Sequence, residues 1–136
     1  MGAAGHRVLF MDDDEGICDI VSVFLRSLGY RVEVAKDGGR AIEQYRKAVQ
    51  EGDPFRVVVL DLSVKAGMGG IETLQELKAV DPGVKAIITT GFTGDPICSS
   101  YREYGFIAAL PKPFEIRELD GVLRETISQG SDQGGM

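Results

Sequence analysis

The sequence is poor in the residues that much of enzymology requires. Its one histidine, His6, sits in a Gly/Ala-rich leader, so neither a histidine metal cluster nor a Ser-His triad can be assembled. Two cysteines, Cys18 and Cys98, are too few for a disulfide scaffold and fall in helix-like segments, where they read as buried or idle thiols. Basic residues are outnumbered fifteen to twenty-one, for a net charge of −6. That deficit argues against non-specific nucleic-acid binding, which draws its affinity from Lys and Arg on phosphates. No apolar run approaches the ~18–20 residues of a membrane span, and no charged segment followed by an apolar one opens the chain. The expectation is a soluble, cytoplasmic chain that contacts neither nucleic acid nor membrane. What is there is ordinary: 136 residues, 43% apolar and 26% charged, enough for one domain with one buried core.

Short aliphatic runs alternate with amphipathic segments five times. The strands are expected at Val8–Met11, Arg31–Val34, Val57–Leu60, Ala86–Ile88 and Phe106–Leu110. Between them, Ile17, Ile20, Val21, Phe24 and Leu28 mark one helical face, closed by Gly29. Ala41 to Val49, Ile71 to Leu77 and Ile116 to Ile127 mark three more. The segment from Pro96 to Tyr104 is a thinner helix, since only Ile97, Tyr101 and Tyr104 mark its face. Strands alternating with helices of 10–15 residues imply right-handed crossovers and a parallel sheet covered on both sides. The predicted fold is α/β, a (βα)5 doubly wound domain over residues 7–128 with strand order 2-1-3-4-5, flavodoxin-like. Residues 1–6 and 129–136, Gly/Ser-rich and polar, are expected to be flexible tails.

In such sheets ligands bind outside the carboxyl ends of the strands. Asp12, Asp13 and Asp14 follow the first strand, Asp61 the third, Thr89 and Thr90 the fourth and Lys112 the fifth. Asp14 has an ordinary explanation as the N-cap of the first helix. Asp12, Asp13 and Asp61 do not, because they end neighbouring central strands. At ~4 Å and an effective dielectric near 20, each like-charge pair costs ~4 kcal/mol. A hard divalent cation would neutralise them, and oxygen-only ligands favour Mg²⁺ or Mn²⁺ over Zn²⁺.

These residues resemble the receiver domains of two-component response regulators. The ordered set carries the resemblance: Asp12-Asp13, Asp61, Thr90-Gly91 and Lys112-Pro113-Phe114. It implies that Asp61 is the phosphoacceptor and that a histidine kinase, or its phosphotransfer domain, is the donor. It also implies that Asp12, Asp13, Asp61 and the main-chain carbonyl of Ser63 hold Mg²⁺. Thr90 would bond a phosphoryl oxygen and Lys112 would pair with the phosphoryl group or with Asp61. Such a domain phosphorylates itself and slowly loses the group, but turns over no external substrate. The stretches Asp61–Gly70, Gly91–Pro96 and Tyr101–Phe106 look more narrowly like receivers at the C-terminal end of hybrid sensor histidine kinases. Three positions depart from the family. Lys65 stands where proline is usual, in a loop one residue longer than the commonest form. Ala109 replaces an aromatic that often swings inward, and Gly91 replaces a small alanine.

Two rivals share parts of this pattern. A flavodoxin-type binder would need a Ser/Thr/Gly-rich loop after the first strand, where Asp12-Asp13-Asp14-Glu15 would repel a phosphate. A haloacid-dehalogenase-like phosphatase would use Asp12 and Asp14 as nucleophile and acid/base, but Gly16 and the lack of room for a cap domain weigh against it.

Overall fold

The computed structural model describes residues 5–91 and 94–134, with the backbone alone for 130–134. Five strands, β1 (Arg7–Met11), β2 (Arg31–Ala35), β3 (Val57–Asp61), β4 (Ala86–Thr90) and β5 (Ala108–Pro111), form one parallel sheet in the order β2-β1-β3-β4-β5. They alternate with α1 (Glu15–Ser27), α2 (Gly38–Gln50), α3 (Gly70–Val80), α4 (Ile97–Ser100) and α5 (Ile116–Gly134). This is the predicted doubly wound fold.

Side chains alternate across each strand, so the sheet has two cores. Leu9, Met11, Val58, Leu60 and Ile88 pack under α2 and α3, against Ile42, Tyr45, Leu74 and Leu77. Val8, Phe10, Val57, Val59 and Ile87 face the other way, against Val21 and Leu25 of α1 and Leu119 and Leu123 of α5. β3 and β4 are buried along their whole lengths, which explains their unbroken aliphatic runs.

Local chemistry sets the element ends. Asp14 caps α1 by accepting from the N–H of Ile17, and Asp37 caps α2 by accepting from that of Arg40. At the other end of α1, Gly29 takes φ +102°, its N–H bonds the Arg26 carbonyl and the Tyr30 N–H bonds that of Leu25. That pairing satisfies two carbonyls the helix leaves open, in a conformation glycine adopts without Cβ strain.

Several boundaries differ from the sequence expectation; β4, for one, runs two residues further, through Thr90. The fourth helix is one α-turn followed by a 3₁₀ turn over Tyr101–Tyr104, ended by Gly105 at φ +95°. Only Ile97 in it is buried, and the Ser99 and Ser100 hydroxyls both bond the Pro96 carbonyl, competing with regular helix bonding. β5 starts two residues late, at Ala108. α5 continues through residue 129, where a tail was expected, to Gly134, with no proline to stop it. At the other end, Gly5 and His6 are tied to the sheet rather than loose: the Gly5 N–H bonds the Gly29 carbonyl and His6 accepts from the Arg31 N–H. Residues 1–4, 135 and 136 of the expected tails lie outside the described residues, as do Phe92 and Thr93. Among the described residues no helix is long and apolar enough to cross a membrane.

Candidate functional site

Parallel strands deliver their carboxyl ends to one edge, and there the charged residues meet. Asp12 follows β1 and its N–H still bonds the Ala35 carbonyl of β2, which fixes the main chain as it leaves the sheet. Asp61 is the last residue of β3, in register with Thr89 of β4. Lys112 follows β5, held by its N–H on the Thr90 carbonyl. The result is a cleft of about 530 Å³ lined by Asp12, Asp13, Asp61, Ser63, Lys65 and Lys112, among others.

Asp12 and Asp61 are 1% and 4% exposed, so their charges cannot be left to water. The Lys112 ammonium donates to Asp12 Oδ2 at 2.7 Å and lies 3.6 Å from Asp61 Oδ2. Asp12 Oδ1 accepts from the Asp14 N–H at 2.9 Å. The Lys112 ammonium thus faces two nearly buried carboxylates, those of Asp12 and Asp61. Burial first, and then the neighbouring Asp12 charge, push the Asp61 carboxyl up to about 6, with Lys112 and the Ser63 N–H pulling the other way. Burial pulls the Lys112 ammonium down, but the hydrogen bond to Asp12 and the charge of Asp61 outweigh it, leaving the group raised.

One carboxylate oxygen each of Asp12, Asp13 and Asp61 lies within 4.8 Å of the other two. Three hard oxygen donors so placed fit a hard divalent cation.

Each residue expected at the site is at this edge, but two have partners the sequence does not announce. Lys112 makes its closer contact with Asp12 rather than Asp61. Thr90 is fully buried, with its hydroxyl 3.7 Å from Cys98 Sγ in α4. A further contact had no signal in residue type at all: the main-chain N–H of Lys65 donates to Asp13 Oδ2 at 2.9 Å, from a residue 52 positions away. The phosphatase arrangement is not supported. Asp14 is engaged at the start of α1 and Asp12 is buried against Lys112, so neither stands free as nucleophile or acid/base.

Beside the cleft, and sharing Gly91 and Lys112 with it, runs a largely apolar groove of about 480 Å³ lined by Ile17, Ile20, Pro113, Phe114 and Ile116. Ile20 of α1, in its lining, is 63% exposed.

Residues 8–124 match the response regulator receiver domain family. The transcriptional regulatory protein ZraR of Klebsiella oxytoca is 33% identical over 89% of this chain, which spans about a quarter (26%) of that relative's length. Sporulation initiation phosphotransferase F of Bacillus subtilis is 27% identical, with 88% of this chain and 92% of that protein aligned. The crystal structure of a CheY-like response regulator receiver domain protein from Methanospirillum hungatei superposes with a TM-score of 0.82 at 26% identity, covering 96% of this chain and 99% of the other.

Proposed function

Because the chain belongs to the response regulator receiver domain family of two-component phosphorelays, we propose that it accepts a phosphoryl group on Asp61 from the phosphohistidine of a histidine kinase or its phosphotransfer domain. The observation that carries the assignment is the placement of Asp61. Among the clustered carboxylates it ends the central strand β3, lines the open cleft, and has the Lys112 ammonium 3.6 Å away. We take residues 7–128 as the receiver unit; with this reading go a cytoplasmic location and Mg²⁺, replaceable by Mn²⁺, as the cation.

In the transfer, an Asp61 carboxylate oxygen bonds to phosphorus as the phosphorus–nitrogen bond of the donor breaks, and that electron pair stays on the imidazole nitrogen. Little covalent work is asked of the protein, so alignment and neutralisation of the phosphoryl oxygens dominate. Mg²⁺, when held by Asp12, Asp13, Asp61 and the Ser63 carbonyl, supplies positive charge for those oxygens. Lys112 adds a point charge from a side chain mostly screened from water. Thr90 would leave the neighbourhood of Cys98 to donate its hydroxyl to the bound phosphoryl group. The apolar groove continuous with the cleft suits a helix of the donor, whose phosphohistidine then reaches Asp61 while water is kept out.

Incubation with acetyl phosphate and Mg²⁺ tests this. Intact mass should rise by one phosphoryl group, and the Asp61→Asn variant should gain none. Equal uptake by Asp61→Asn would overturn the assignment; uptake lost only on replacing Asp12 would restore the phosphatase reading.

A further inference from the structure

We propose that Lys65 is a positioning residue for the cation site: its main-chain N–H fixes the carboxylate of Asp13. The ammonium of the same residue opposes entry of the cation. The inference rests on the metal-dependent reading of the cleft given above and assigns it a residue outside the acidic set.

Asp13 is only partly buried, and the backbone that follows β1 does not by itself set its carboxylate orientation. The Lys65 N–H restrains it, donating at 2.9 Å to Oδ2 of a residue that lines the cleft. The donor is itself held. Downstream of Lys65, the Met68 carbonyl accepts from the Gly38 N–H of α2 at 2.9 Å, and the Gly69 carbonyl accepts from the Thr73 hydroxyl of α3 at 2.6 Å. Gly67 turns at φ +116° with its Cα so close to Asp37 that an added Cβ would lie 3.0 Å from that side chain. The loop between β3 and α3 is therefore a strut from α2 and α3 to Asp13. Orientation matters because Mg²⁺ demands near-ideal octahedral geometry. The Lys65 side chain is exposed on the rim of the same cleft, where its charge acts against a second cation. One residue thus favours the cation through its backbone and disfavours it through its side chain.

Two substitutions separate the effects. Lys65→Gln removes the charge and keeps the N–H; Lys65→Pro removes both, since proline has no N–H to donate. In Mg²⁺ titrations followed by NMR, Lys65→Gln should bind about twofold more tightly than the wild type. Lys65→Pro should bind at least about threefold more weakly than Lys65→Gln, the worth of one modest hydrogen bond. A second measurement needs no metal and no proline: exchange of the Lys65 amide hydrogen should speed up at least about tenfold in Asp13→Ala. Should the proline variant not fold, that measurement decides. Mg²⁺ binding with equal affinities of the Pro and Gln variants, or unchanged Lys65 exchange in Asp13→Ala, overturns this inference alone. Failure of the wild type to bind Mg²⁺ at all would instead overturn the metal-dependent reading, and this inference with it.

Discussion

Lys112 carries more of the site than its usual description as a phosphoryl partner suggests. Without a cation, it is the group that makes the burial of Asp12 tolerable, at 2.7 Å, and it also faces Asp61. Truncating it leaves two nearly buried, neighbouring carboxylates without the ammonium that faces them both. Lys112→Ala should therefore cost about 1.5–3 kcal/mol of stability in urea unfolding without metal, the range for a lost charge-assisted bond. Part of that loss should return on adding Mg²⁺, so the Mg²⁺-induced rise in Tm should be larger in the variant than in the wild type. A smaller rise would mean that Lys112 helps to hold the cation rather than standing in for it. The identities of these side chains were legible in the sequence because strand ends project to one edge. Their pairing was not, since which of two neighbouring aspartates takes the ammonium depends on tenths of an ångström in the exit from β5. The Lys65 bond was less legible still: every residue but proline carries an N–H, so nothing in the side chain advertises it.

Elements were readable where many side chains vote and unreadable where few do. α1 and α2 each present a full apolar stripe and a side-chain cap, and their expected and observed spans agree closely. The segment after β4 has one buried anchor, Ile97, and resolves into an α-turn plus a 3₁₀ turn whose end is set by Gly105. The start of α3 shows a constraint of another kind. A Cβ on Gly70 would lie 2.7 Å from both the Asp61 carbonyl oxygen and Ile88 Cδ1. The helix consequently seats directly on the strand end that carries Asp61, and only glycine permits the approach. Gly70→Ala should cost about 1–3 kcal/mol through overpacking and should slow phosphorylation by acetyl phosphate more than it alters donor affinity. Wild-type stability with a wild-type rate would show that the helix can retreat without dragging Asp61.

Two cores share one sheet, and a single long-range tyrosine bond secures each. On one face the Tyr45 hydroxyl of α2 donates to Asp81 Oδ2 at the end of α3, at 2.6 Å. On the other, Tyr30, just beyond α1, donates to Asp120 Oδ1 of α5 at 2.8 Å, across 90 residues. Both rings are almost wholly buried, and burial, followed by the acceptor carboxylate, raises both phenols well above their ordinary value near 10. The sign of the consequence is fixed. In the unfolded chain these phenols lose their protons near pH 10, whereas the folded chain keeps them, so above that pH the folded state binds more protons. Their contribution is fully present below about pH 10 and is lost as pH rises from there through the folded values. Urea unfolding at pH 8 and near pH 11 should show the wild type losing stability over that interval. Tyr30→Phe/Tyr45→Phe should start about 1–3 kcal/mol lower at pH 8, at about 0.5–1.5 per lost bond, and then fall less steeply. The variant comparison isolates the tyrosines from the lysines, which titrate in both proteins. Parallel pH dependence in the two would mean that the bonds to Asp81 and Asp120 do not hold the phenol protons, and that the faces are joined by apolar packing alone.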